Sequence, residues 1–143
     1  MFNFTKTTKT VLGMAVALAA AGLLAACSSA GGGAAADLNG TSWVLATLDG
    51  SPPVEGTELT ISFADGEVTG SAGCNSFGGT YEVDGTTLVF SPLVSTMMAC
   101  EDSINAQERA YLDALDTQVD FAINGSSLTL TGSNGSVLVF NAA

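Results

Sequence analysis

The pairs Asn39-Gly40, Asp49-Gly50, Asp65-Gly66, Asp84-Gly85, Asn124-Gly125 and Asn134-Gly135 cut the chain beyond Asp37 into short pieces. Asx-Gly is the chemistry of tight hairpin turns, because both central residues tolerate positive φ. Between the turns, apolar and polar residues alternate. Leu59, Ile61 and Phe63 face one way and Thr60 and Ser62 the other. The same holds for Val68, Gly70 and Ala72 against Glu67, Thr69 and Ser71, for Tyr81 and Val83 against Thr80, Glu82 and Asp84, and for Leu128 and Leu130 against Ser127, Thr129 and Thr131. A period of two describes half-buried strands of an antiparallel sheet. Trp43-Val44-Leu45-Ala46, Leu88-Val89-Phe90 and Val137-Leu138-Val139-Phe140 are apolar on both faces. They read as central or doubly covered strands.

One segment breaks the pattern. From Ile104 to about Gln118 there is no glycine or proline, and good helix formers such as Ala106, Gln107, Glu108, Arg109, Leu112 and Leu115 predominate. Ile104, Tyr111, Leu112 and Leu115 fall on one helical stripe. Asp102 or Ser103 is placed to cap its start. Asp113, Asp116 and Asp120, three and four residues apart, read as a solvated acidic ridge. The predicted fold is α+β and mainly antiparallel β: a curved sheet or open barrel of about eight strands wrapped around one α-helix at about 104–118. A sheet this large twists and curls, and the helix is the cover for its dry face.

The first residues belong to a different physical regime. Lys6 and Lys9 precede an apolar run from Val11 to Ala26, which ends in Leu24-Ala25-Ala26-Cys27. The run is shorter than the roughly 20 residues a membrane-spanning helix needs. A basic start, a short apolar stretch and small residues before a cut site describe a secretory signal peptide. The terminal tetrapeptide resembles the lipobox of bacterial lipoproteins, which implies that residues 1–26 are removed and that Cys27 carries acyl chains. Residues 27–36 are then the lipidated cysteine and a Gly/Ala/Ser tether, and residues 37–143 the folded domain.

Removing the signal takes both lysines and leaves Arg109 alone against 14 acidic side chains. Such a surface repels nucleic acid and anionic headgroups, so attachment to a membrane must come from the acyl chains on Cys27. With Cys27 lipidated, Cys74 and Cys100 remain. An even pair in an exported protein points to a disulfide, with two buried free thiols as the alternative. Without histidine, two cysteines make no structural zinc site, and neither a metal nor any cofactor is expected.

The catalytic inventory is equally thin. Ser-His-Asp, Cys-His and Ser-Lys arrangements need residues that the mature chain lacks. The glycines around Gly78-Gly79 have neither the lysine nor the strand-helix setting of a phosphate loop. Asp49, Glu55, Glu58, Asp65, Glu67 and Asp84 sit at turns or on wet faces, and calcium-loop spacing is absent. An enzyme is not expected.

Leu38-Asn39-Gly40-Thr41-Ser42-Trp43 opens the domain. Gly70-Ser71-Ala72-Gly73-Cys74-Asn75 and Phe77-Gly78-Gly79-Thr80-Tyr81 follow, then Thr96-Met97-Met98-Ala99-Cys100 before the helix. Glu108, Tyr111 and Leu115 lie inside the helix, with Leu128-Thr129-Leu130 and Leu138-Val139-Phe140 at the end. In this order and spacing the set, from about Asp37 to Asn141, is similar to the META domain family of HslJ-like heat-shock proteins. The resemblance implies a mainly antiparallel sheet curling around a helix and an envelope protein with a stress- or secretion-related accessory role, and it brings no established catalytic residues to carry over. Gly70, Gly73, Cys74, Asn75, Met98 and Cys100 carry the most specific motifs and are expected to be structural. Gly70 and Gly73 would permit a bulge or close packing, and Asn75 would bond turn backbone groups.

The functional expectation is a non-enzymatic, lipid-anchored bacterial envelope protein, monomeric, that binds or supports other envelope proteins. Its place would be the outer membrane and periplasm in a two-membrane cell, or the outer face of the cytoplasmic membrane otherwise. The alternative is a carrier of a small apolar or lipid ligand in the concave face, with Met97 and Met98 as adaptable lining or, more plainly, as core filling.

Overall fold

The computed structural model describes residues 37–143; the expected signal peptide, Cys27 and the expected tether lie outside the described residues. Nine strands and one helix follow in order: β1 (Thr41–Leu48), β2 (Leu59–Ala64), β3 (Glu67–Ala72), β4 (Ser76–Asp84), β5 (Thr87–Phe90), β6 (Val94–Ser95), α1 (Asp102–Ala114), β7 (Gln118–Asn124), β8 (Ser127–Gly132) and β9 (Val137–Ala142). Asn39-Gly40, Asp49-Gly50, Asp65-Gly66 and Asn134-Gly135 lie in turns or bends, whereas Asp84 and Asn124 end β4 and β7 and only their glycines enter the turn. At Asp65-Gly66 both residues take positive φ, 52° and 81°, as a two-residue hairpin matched to strand twist requires.

The strand order is β3-β2-β1-β9-β8-β7-β5-β4-β6, and a further pairing joins β3 to β4. That pairing closes eight strands into an antiparallel barrel, so the sheet is a closed rather than an open one. Closure runs through β4, which divides its length between partners. Ser76–Thr80 pair with β3, while Tyr81–Asp84 pair with β5. The ninth strand, β6, adds two residues beside the first half of β4, where Ser95 faces Phe77 and Val94 faces Gly78. Barrel closure leaves no unpaired edge except where a strand stops short, and here β6 is that place.

Inward residues alternate along the long strands, as the period of two predicts, except at the end of β4, where Val83, expected to share the face of Tyr81, is exposed. Trp43, Leu45, Leu59, Ile61, Phe63, Val68, Phe77, Tyr81, Leu88, Phe90, Val119, Phe121, Leu128, Leu130, Leu138 and Phe140 are all buried and form one cluster. Phe63 meets Tyr81 edge-on with ring centroids 4.9 Å apart. These interleaved side chains fill the barrel.

The helix α1 lies across one end of the barrel, where β3 and β8 finish and β2 and β4 begin. It buries Gln107, Tyr111 and Ala114, and Leu115 just beyond its end. Ile104 and Leu112, expected on the buried stripe, are only half-buried, and the opposite face is exposed. Tyr111 is the deepest of the set. Its ring packs edge-on against Phe77 and Phe140, and its hydroxyl donates to the Thr60 carbonyl at 3.1 Å.

Three details of the helix depart from expectation. It ends at Ala114 rather than near Gln118, because Gln118 and Val119 pair with Val89 and Leu88. The backbone bonds and burial gained there outweigh helix propensity, which is worth less than about 1 kcal/mol per residue. Asp120 therefore lies on β7, where its carboxylate accepts from the Thr87 hydroxyl at 3.0 Å, and the acidic ridge reduces to Asp113 and Asp116. Neither Asp102 nor Ser103 caps the helix: the N-cap is Glu101, without a side-chain bond. Asn105 reaches back instead, donating to Cys100 O at 2.8 Å and accepting from Cys100 N at 3.2 Å.

Candidate functional site

The motif residues converge at the end of the barrel that α1 covers. Ala72 N–H donates to Asn75 O at 2.8 Å, so Gly73 and Cys74 are the central pair of the β3–β4 turn. Gly73 has φ +101°, the positive value such a turn demands at its first central residue. Gly70 serves a different need. A Cβ there would meet the Thr60 carbonyl oxygen and come within 2.7 Å of the Phe77 ring. Its lack of a side chain lets β2, β3 and the Phe77 ring pack together beneath Tyr111.

Cys74, at the tip of this turn, is bonded to Cys100, with a Cα–Cα distance of 6.0 Å. The disulfide ties the β3–β4 turn to the residue that leads into α1. Asn75 ties the same two regions by hydrogen bonds. Its backbone N–H donates to Glu108 Oε2 at 2.7 Å, and its Nδ2 donates to Glu108 Oε1 at 2.7 Å and to Met98 O at 3.1 Å. Its Oδ1 accepts from Met98 N at 2.6 Å and from the Thr96 hydroxyl at 2.8 Å. The expectation that Asn75 bonds its own turn is corrected here. Its side chain reaches across to the 96–98 segment and the helix. Gln107 completes the frame by donating to the Thr57 hydroxyl at 3.0 Å and accepting from Val54 N–H.

The frame holds an exposed object. Val94, Met97 and Met98 are 71%, 97% and 62% exposed. The methionines therefore neither fill the core nor line the barrel interior, and both expectations are corrected. Burial on two sides was never available to them, because Asn75 and the disulfide pin their backbone outside β4. An Asn that satisfies both backbone groups of Met98 replaces the sheet partner that this segment lacks.

Two depressions flank the segment. One, of about 250 Å³, lies between Ser91, Pro92, Leu93 and Ser95 on one side and Leu112, Asp113, Leu115, Asp116 and Thr117 on the other. The second, of about 300 Å³, is bounded by Asn75, Ser95–Ala99 and Glu108. Both open at the surface. Sequence reasoning missed this region, although Pro92 within the apolar run Leu88–Val94 signals a strand that cannot continue. It also missed Gln107 and Glu108 as polar members of the buried side of α1.

Two buried phenols have shifted titration. Burial pushes the Tyr111 phenol far above the ordinary tyrosine range. Tyr81 is raised as well, first by burial and then by the charges of Asp37 and Asp65. Among the described residues, no buried side-chain nitrogen or oxygen lacks a hydrogen-bond partner, and no three His, Cys, Asp or Glu converge to hold a metal ion.

The META domain profile matches residues 36–143. An NMR structure of a protein from Burkholderia xenovorans is similar over 74% of this chain and 83% of its own, with a TM-score of 0.61 and 29% identity. A second NMR structure is similar over 73% of this chain and 90% of its own, with a TM-score of 0.63 and 23% identity, and shares the fold. No curated protein matches the chain. The profile covers the barrel, the helix and the Gly-Cys-Asn and Met-Ala-Cys frame together, and on that basis the chain belongs to the META domain family.

Proposed function

We propose that this is a non-enzymatic protein-binding module, tethered to a bacterial envelope membrane through acyl chains on Cys27, with an accessory and stress-related role. The observation that carries the reading is the exposed Val94–Met98 segment, fixed in place by Asn75 and the disulfide. Exposed apolar side chains on a rigid backbone suit a partner that docks on the surface, because little ordering entropy is lost on binding. The lipobox-like Leu24-Ala25-Ala26-Cys27 and the Gly/Ala/Ser tether supply the anchor and the reach. The site of action would be the periplasmic side of the outer membrane in a two-membrane cell, or the outer face of the cytoplasmic membrane otherwise.

The carrier alternative has less support. Side chains occupy the barrel interior, and the flanking depressions are small, open and mixed in polarity, whereas small-molecule sites are enclosed and run from about 300 to 1,000 Å³. Two measurements test the proposal. Mass spectrometry of the exported protein should find Cys27 as an acylated N-terminus; an unmodified chain starting elsewhere refutes the anchor. A photocrosslinking residue placed at Met97 in cells should give discrete adducts that the same residue at Glu82 does not. Equal labelling at both positions would remove the docking role.

A further inference from the structure

The segment from Leu93 to Met98 is more than an apolar patch. Thr96 N–H donates to Ser76 O at 3.0 Å, and Val94 stands opposite Gly78 in the same ladder. In an antiparallel pair, hydrogen-bonded residues alternate. The backbone groups of Val94 and Thr96 therefore point at β4, and those of Leu93 and Ser95 point the other way. Among the described residues no strand lies on that side, since β6 ends the strand order. The other wall of the depression that Leu93 and Ser95 border is the C-terminal end of α1 with Leu112 and Leu115, rimmed by Asp113 and Asp116.

From this we infer that the outer edge of β6 is a docking edge for an extended segment of another protein, one that alternates apolar and basic residues. The inference rests on the protein-binding reading above and names the class of partner. Three features select it. An unpaired strand edge offers the N–H and C=O of Leu93 and Ser95 to a strand added in register. Leu93, Leu112 and Leu115 give a partly apolar floor, and Val94, Met97 and Met98 give an adaptable shoulder at its mouth. The charge is one-sided. Asp113 and Asp116 border the cleft without a basic residue among its lining, and Arg109 is the one cation of residues 37–143, which hold 14 acidic side chains. An acidic partner or an anionic bilayer meets repulsion here, while lysine or arginine at alternate positions meets complementary charge.

Short edges are normally blunted by charge, proline or cover. Pro92 protects the approach to β6, yet Ser95 carries neither charge nor proline and its flanking residues are exposed. The edge is thus left open over a length that suits pairing with two or three residues of a partner. The remaining affinity would come from the apolar contacts beside it.

The test uses the protein from Cys27 to Ala143 with a fluorescein-labelled decapeptide that alternates lysine and valine. Anisotropy should show saturable binding that weakens at least tenfold between 50 and 300 mM salt. A glutamate/valine peptide and a lysine/serine peptide should each bind at least tenfold more weakly. Ser95→Pro removes an outward N–H while sparing the ladder to β4, and should weaken the lysine/valine peptide about tenfold. Asp113→Asn with Asp116→Asn, both exposed, should weaken it about threefold or more without affecting the fold. Amide shifts on titration should cluster at Leu93, Ser95, Asp113 and Asp116.

Failure of the lysine/valine peptide to bind, equal binding of the lysine/serine peptide, or indifference to both variants overturns the inference. Self-association that Ser95→Pro abolishes would assign the edge to a second copy instead. Binding of phosphatidylglycerol vesicles through the same residues would assign it to lipid. Discrete crosslinks at Met97 together with no peptide binding would sink the basic-strand partner and leave the binding-module reading standing. Absence of both would sink the two together.

Discussion

Asn75→Ala probes the frame most directly. The Asn75 side chain makes four hydrogen bonds: two with the backbone of Met98, one with the Thr96 hydroxyl and one with the Glu108 carboxylate. A neutral bond contributes about 0.5–1.5 kcal/mol net and one to a charged group about 1.5–3 kcal/mol. Water reaches exposed Thr96 and half-buried Glu108, which holds the sum toward its lower end, about 3–4 kcal/mol. For a domain stable by roughly 5–15 kcal/mol this is a large share. Urea unfolding followed by the fluorescence of Trp43, the one tryptophan, should show the midpoint falling by about 1–3 M with the slope unchanged. Asn75→Asp preserves the volume but turns a carboxylate toward Glu108 in place of the donor. Repulsion raises the introduced group's folded-state pKa above its unfolded value of about 3.9. Its penalty is therefore absent at lower pH and grows as pH rises toward 7. A loss below about 1 kcal/mol for Asn75→Ala, the scale of a surface substitution, would refute the idea that Asn75 organises the site.

Other consequences follow from the same geometry. Gly70→Ala forces a Cβ toward the Thr60 carbonyl, a backbone atom that also holds Tyr111, and should cost upwards of about 2 kcal/mol in urea unfolding; a neutral result would mean β2 and β3 can part. Replacing both Cys74 and Cys100 with serine should cost roughly 3–4 kcal/mol, from the chain-entropy term for a disulfide with sequence separation 26; unchanged stability would show that the hydrogen bonds alone hold the turn. Of the two tyrosines, Tyr111 should remain protonated at pH 10 in the folded protein and Tyr81 should titrate above its unfolded-state value, read as less phenolate absorbance near 295 nm than the unfolded chain gives. Because both folded-state values are raised, their contribution to stability is intact below the unfolded-state value of about 10. It declines as pH rises past that value, by up to about 1.4 kcal/mol per pH unit for each proton retained. Phenolate absorbance with unfolded-like titration at pH 10 would contradict the packing of Tyr111.

The turns and inward faces were legible in the sequence because they depend on local chemistry. Asp65-Gly66 needs only its own two residues to favour a hairpin, and Leu59, Ile61 and Phe63 need only the pleat of one strand to share a face. Burial of Phe77 and Tyr81 follows from the same alternation. The cysteine pair could be read from the domain's composition, since the two cysteines of residues 37–143 leave one intramolecular pairing between them. What the sequence did not carry was any property that depends on which distant segment lies alongside. Barrel closure rests on Ser76–Thr80 pairing with β3 while Tyr81–Asp84 turn to β5, a division no local pattern marks. The helix yields Gln118 to β7 because strand partners at Leu88 and Val89 compete for it. Met97 and Met98 have the hydropathy of core residues, yet they lie outside because Asn75 and Cys74, more than 20 positions earlier, hold their backbone where no strand covers them. Hydropathy reports the free energy available from burial; only the tertiary structure decides whether another surface is present to accept it.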